Sequence, residues 1–232
     1  MARFDLSQTQ ELARLFAVAR DDRDEEWQQQ FHAAAPDATL MCFDPQVSQG
    51  PDTFPYFDLA IPDAGPVTPF CITNLLDYLL ENGFGCVIWG SSKREGGPEW
   101  VFTYGDLLSY SLFARFDGPP SAGGPKSEVA QQARQVLVAA PSEALLPARA
   151  RKVIGDFIRK NYQHPNPKVG LVVDPSRDPS QSLMINLTLA QYHGDQHKLD
   201  MAIRYLFWFL PRSYALAPLP EGWSDSGFTD LA

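Results

Sequence analysis

Apolar residues recur at helical spacing in some stretches of the chain and alternate or run together in others, so the pattern predicts helices and strands in mixed order. Ser7-Gln-Thr-Gln10 has the form of a capping box, and Leu12, Leu15, Phe16 and Ala19 follow on one helical face. A second helix is expected from Asp22, with Glu25 three residues on, Trp27, Phe31 and Ala34 turned inward and Pro36 ending it. Ala38 to Phe43 reads as a short buried strand. Phe57, Leu59 and Ile61 alternate with Asp58 and Ala60, the pattern of a half-buried strand. Thr73 is then placed to cap a helix carrying Leu75, Leu76, Leu79 and Leu80. Gly83 stops it, with Phe84 supplying the hydrophobic contact that often follows such a stop. Cys86 to Trp89 and Trp100 to Tyr104 flank the turn-rich Gly90–Pro98 stretch, so residues 85–104 read as a hairpin. Asp106 can cap a short helix beyond it.

The second half opens with a strand at Gln135 to Ala140. Pro147 stands at a first helical position, Val153, Ile154, Phe157 and Ile158 form the buried stripe, and His164-Pro-Asn-Pro167 is a stop. Strands are expected at Lys168 to Val173 and Ser182 to Leu189. A helix from about Lys198 to Leu210 follows, with Leu199, Ala202, Ile203, Leu206, Phe207 and Leu210 inward. A final strand spans Tyr214 to Leu219, and the tail after Gly222 reads as irregular. Each half therefore runs helix, strand, strand, helix, strand: 22–35 through 86–89 in the first, 147–161 through 214–219 in the second. The expected fold class is α+β, a two-layer α/β arrangement of mixed sheets with helices packed on them, in two similar halves. The Gly/Pro-rich stretch 117–127 separates an N-terminal module, residues 1–116, from a C-terminal module, residues 128–232.

Composition narrows the function. The 232 residues carry 19 basic and 28 acidic side chains, a formal charge of −9, which argues against nucleic-acid binding, because that needs clustered cations on phosphates. The longest apolar stretch, Met201 to Pro211, is broken by Arg204 and falls well short of the ~20 residues of a spanning helix. The start of the chain lacks the apolar core of an export signal, so the expected location is the cytoplasm. Cys42, Cys71 and Cys86 are widely spaced in apolar surroundings and read as buried free thiols.

The segment Gln135 to Leu219 contains Leu146-Pro147 opening a helix, Lys168-Val-Gly-Leu-Val-Val-Asp174, Leu183-Met-Ile-Asn-Leu187 and Tyr214-Ala-Leu-Ala-Pro-Leu219. In element order and apolar strands it resembles the C-terminal module of SseB-like (enhanced serine sensitivity) bacterial proteins, over a little more than a third of the chain. Trp100-Val-Phe-Thr-Tyr-Gly-Asp106 is similar to a segment of uncharacterised bacterial proteins of this general type. The resemblance implies a bacterial cytoplasmic α/β protein without a known catalytic centre. By association it also implies a place near secretion or toxin-immunity systems.

Catalytic signatures are missing. His193 and His197 have metal-ligand spacing, but His-Gly-Asp-Gln-His lacks the glutamate of a zinc hydrolase, and Gly194 with Asp195 fits a turn and an N-cap instead. No Gly-x-Ser-x-Gly elbow and no phosphate-binding loop occur. His32, His164, His193 and His197 are poorly placed as general bases, and Gly83-Phe-Gly85 precedes a strand where a dinucleotide fingerprint would open a helix. Neither a cofactor nor a metal is expected.

Aromatic residues make up 12% of the chain and crowd residues 84–116. Most belong to the core. Where exposed, they would form a binding face, with Trp89 near Trp100 across the hairpin and Trp100, Phe102 and Tyr104 on one side of it. Trp208, off the inward stripe of its helix, is a second anchor. The run Asp21-Asp22-Arg23-Asp24-Glu25-Glu26 reads as a solvated helix start, or as an acidic patch for a basic partner. The leading expectation is a non-enzymatic protein–protein interaction module whose partner-binding residues are Trp89, Trp100, Phe102, Tyr104, Trp208, Asp21, Asp22, Asp24 and Glu25. The partner is an unidentified protein, neither nucleic acid nor membrane, and a homodimer is open to it. The alternative is a small-molecule-binding protein, or an enzyme of unrecognised type, with a site between the two halves.

Overall fold

A computed structural model describes residues 4–63, 68–118, 136–174 and 181–232. Among them are six helices and two mixed sheets of four and five strands, with helices packed against the sheets: an α+β fold. The chain divides into two compact units, Met1–Leu107 and Leu108–Ala232. Of the Gly/Pro-rich stretch 117–127, residues 119–127 lie outside the described residues.

Unit 1 begins with α1 (Leu6–Phe16) and α2 (Glu25–Ala34). Both start elsewhere than the sequence pattern suggests. Asp5 caps α1, its Oδ1 accepting from the Ser7 amide at 2.8 Å and the Ser7 hydroxyl at 2.6 Å, so Ser7 lies inside the helix. Asp22 ends a separate 3-10 turn, Arg20–Asp22, and Asp24 caps α2 by accepting from the Trp27 amide. Next come β1 (Met41–Gln49), β2 (Pro55–Ala60), α3 (Ile72–Asn82), β3 (Gly85–Trp89) and β4 (Trp100–Phe102). Cys71, not Thr73, holds the N-cap position of α3. The Thr73 hydroxyl instead donates across to the segment just after α2, to the Pro36 carbonyl and Asp37. Gly83 closes α3 in the left-handed conformation expected of it.

The sheet order is β1-β2-β3-β4. β1 and β2 form an antiparallel hairpin, α3 crosses over, and β3 returns parallel to β2. β4 stops at Phe102, short of the predicted Tyr104. Thr103 and Asp106 bond each other's amides reciprocally and start α4 (Tyr104–Phe113) there.

Unit 2 carries β5 (Leu137–Ala139), α5 (Ala148–Tyr162), β6 (Lys168–Val173), β7 (Gln181–Ile185), α6 (Gln196–Leu206), β8 (Leu216–Pro218) and β9 (Thr229–Asp230). β6 and β7 form the antiparallel hairpin, α6 crosses over, and β8 returns parallel to β7. The series helix, hairpin, helix, parallel strand is thus the same in both units, as the shared element order predicts. β5 and β9 both pair β6 on the edge opposite β7, so the tail read as irregular adds a strand. Gly155 on α5 is required where that tail crosses, because a Cβ there would collide with the Leu231 backbone. α6 ends four residues early. The 3-10 turn Phe207–Phe209 changes the angular step, so Phe207 turns to solvent while Trp208 and Phe209 turn inward. This reverses the expectation for Phe207 and Trp208.

Candidate functional site

In unit 1 a charged centre lies at Asp58. The β2 alternation suggested an outward aspartate, yet Asp58 is fully buried. The β1–β2 register passes from Cys42 opposite Leu59 to Val47 opposite Phe57. Residues 43–46 therefore bulge out opposite Asp58 alone. From the adjoining β3–β4 loop Arg94, in a left-handed backbone conformation, brings Nη2 to 3.4 Å from Asp58 Oδ2. Its guanidinium lies 4.1 Å from the centre of the Phe43 ring and 5.7 Å from that of Trp89. The Trp89 indole Nε1 donates to Asp58 Oδ1 at 2.9 Å. Asp58 Oδ2 and Arg94 Nε and Nη2 are buried with no hydrogen-bond partner among the described residues, so the two groups meet as an ion pair and not as a hydrogen-bonded fork.

This geometry braces a loop; it does not build a reactive group. Burial and then the Asp58 charge push the half-buried Cys42 thiol up, and the same two causes push Cys86 up further, so neither is a ready nucleophile. The loop is held at its far end too. Arg20 donates to the successive carbonyls of Gly96, Gly97 and Pro98. Arg23 donates to the carbonyls of Val18 and Glu99 and, at 2.6 Å, to the Glu99 carboxylate. The Arg23 guanidinium also lies 4.7 Å from the centre of the Trp27 ring.

The residues expected to bind a partner separate into two groups. Phe102 and Tyr104 are fully buried, and Trp208 is 8% exposed, so these three belong to the core. Trp100 is partly buried against Phe31 at 4.7 Å, His32 at 5.5 Å and Trp27 at 5.7 Å. Trp100 pairs with Ile88, one residue before Trp89. That single step puts Trp89 on the opposite face of the sheet, so the expected Trp89–Trp100 neighbourhood does not form. Tyr104 has left the strand for α4. Of the acidic run, Asp24 is occupied as the α2 cap, while Asp21, Asp22 and Glu25 are exposed and make no ion pair among the described residues.

Unit 2 carries a polar centre just past the carboxyl ends of its parallel pair β7 and β8, where α/β sheets commonly bind ligands. Asn186, 7% exposed, organises it. Its Oδ1 accepts from the Lys168 amide at 2.7 Å and meets His164 Nε2 at 3.1 Å. Its Nδ2 donates to the Asn166 carbonyl at 3.0 Å and to Asp225 Oδ2 at 3.2 Å. The amide is fully satisfied. Because the Lys168 amide can only donate, Asn186 Oδ1 is an acceptor and His164 Nε2 must carry the proton. The Thr188 amide likewise fixes Gln191 Oε1 as an acceptor at 2.9 Å, leaving Gln191 Nε2 to donate to His164 Nδ1 at 3.2 Å. The Lys168 ammonium lies 3.3 Å from Asp225. Burial pulls the Asp225 carboxyl up, but the hydrogen bonds from Asn186 and Lys168 outweigh it and hold the group below the ordinary carboxylate range.

These side chains line a cleft of about 430 Å³, with Trp223 on its wall. A recess of about 350 Å³ adjoins it, sharing His164 and Gln191 and lined also by Tyr192. The buried Tyr192 hydroxyl has no partner among the described residues. Of this cleft the sequence singles out only His164, as a poorly placed general base and not as part of a binding site. The one available signal was Asn186, a polar residue inside the apolar run Leu183–Leu187. The His193–His197 pair straddles a turn, with His193 left-handed after the 3-10 turn Leu189–Tyr192 and Asp195 capping α6.

No family model, curated protein or solved structure matches this chain.

Proposed function

We propose that this chain is a non-enzymatic protein–protein interaction module of the bacterial cytoplasm that recognises a basic protein segment through unit 1. The single observation in favour is the exposed set Asp21, Asp22 and Glu25 beside a loop already immobilised by three arginines. Arg20 and Arg23 are committed to that loop and leave these carboxylates without a partner among the described residues. A rigid loop loses little entropy on binding, and unpaired acidic groups at its edge favour a cationic partner and speed its approach. The raised cysteine thiols and the ion-paired Asp58 fit a binding role better than a catalytic one. No helix among the described residues is long and apolar enough to cross a membrane.

A pull-down of tagged protein from bacterial lysate, washed at low and high salt, tests the proposal. One specifically retained protein is expected, released at high salt and lost with the triple variant Asp21→Asn, Asp22→Asn, Glu25→Gln. Retention unaffected by that variant would exclude this surface. A second role, small-molecule binding, is favoured by the cleft in unit 2.

A further inference from the structure

The cleft in unit 2 has a definite chemistry, and we propose that it is a binding site for a neutral carbohydrate, one or two sugar rings in size. Three features carry this. First, the cleft is charge-balanced: Lys168 and Asp225 neutralise each other at 3.3 Å. His164 accepts at Nδ1 and therefore holds a single proton, on Nε2. An ionic ligand would have to break the Lys168–Asp225 pair to gain a partner, whereas a neutral one need not. Second, the wall mixes donors and acceptors at close quarters: an ammonium, a carboxylate and the Gln191 amide. A sugar hydroxyl donates and accepts at once, so vicinal hydroxyls match such a surface. Third, Trp223 is 45% exposed and lines the cleft. An indole beside a polar floor offers a sugar ring one apolar face to lie against. At about 430 Å³ the cleft is in the range of small-ligand sites.

The test is a ¹⁵N NMR titration of the full chain with glucose, galactose, N-acetylglucosamine, maltose and cellobiose, with sodium phosphate and glycine as ionic probes. A saturable shift of the Trp223 indole and the Asn186 side-chain amide is expected with at least one sugar. Affinity should fall about tenfold in Trp223→Ala and be largely kept in Trp223→Phe, which retains an aromatic face. Thermal melts of both variants check that the fold is intact. The methyl glycoside of the best sugar separates the two sources: retained binding assigns the site to a sugar conjugated through its anomeric carbon, and lost binding to a free reducing sugar. The proposal is overturned if no sugar gives a saturable shift, if only phosphate or glycine does, or if a folded Trp223→Ala variant binds sugar as well as the parent.

Discussion

Units 1 and 2 each set a polar group along the strand that precedes the crossover helix, Asp58 within β2 and Asn186 one residue past the end of β7, and resolve it in opposite ways. In unit 1 the group is charged. Asp58 is sealed beneath Arg94, Trp89 and Phe43, and three polar atoms of the ion pair lack a hydrogen bond among the described residues. In unit 2 the group is a neutral amide, Asn186, whose two oxygen and two nitrogen contacts are all made, beside an open cleft. A buried ion pair spends its attraction on its own desolvation and then serves chiefly to hold the loop that brings the arginine. A saturated amide ties three segments together and leaves the neighbouring side chains free to face a ligand. The charged centre is a brace in the first unit, and the neutral one is a floor in the second.

The strongest way to break this comparison is to remove one charge. Arg94→Ala leaves a fully buried carboxylate without its counter-ion, and unit 1 should lose about 3 kcal/mol, the lower end of the range for broken buried pairs, because the arginine is 34% exposed. The double replacement Asp58→Leu with Arg94→Met should recover most of that loss in urea denaturation. A double variant as unstable as the single one would show that the pair itself, and not the uncompensated charge, stabilises the unit.

Asn186→Ala comes next. It removes four hydrogen bonds and strands the Lys168 amide in a part-buried site, so a loss of about 2–3 kcal/mol is expected. Hydrogen exchange should show the His164–Lys168 segment and the tail around Asp225 loosening together. Loosening of one without the other would mean that Asn186 does not join them. Trp89→Phe ranks third. It keeps the ring near Arg94 but leaves Asp58 Oδ1 without its indole donor, a cost of about 1.5 kcal/mol.

Legibility in the sequence follows the same divide. The element order of both units could be read because amphipathic periods, Gly83 and the prolines act locally. Helix starts were displaced where an aspartate two residues away, Asp5 or Asp24, made the better cap. Both polar centres were missed because their partners are distant in sequence. Asp58 looks outward from its alternation, and only a bulge on one neighbouring strand and an arginine 36 residues on bury it. Asn186 was visible as an oddity inside an apolar run, but its partners come from two distant segments, His164–Lys168 on one side and Asp225 in the tail. The aromatic face failed for a simpler reason: a one-residue register step across the hairpin sends Trp89 and Trp100 to opposite sides.

The smallest effect gives unit 2 a pH signature of its own. The Tyr214 hydroxyl donates to the Leu145 carbonyl at 2.7 Å, and burial raises it from 10.0 to about 12. Between those values the folded unit keeps a proton that the unfolded chain has released. The stabilisation is therefore complete below pH 10 and is lost as pH rises toward 12. Burial pushes the Tyr162 and Tyr192 hydroxyls up as well, so they add to the same alkaline loss. Tyr214→Phe should cost about 1 kcal/mol at neutral pH for the missing hydrogen bond, yet make stability fall less steeply above pH 10. Urea midpoints of parent and variant should converge as pH rises. If the two curves instead stay parallel, Tyr214 is not held protonated by the fold, and the alkaline loss belongs to the other two tyrosines.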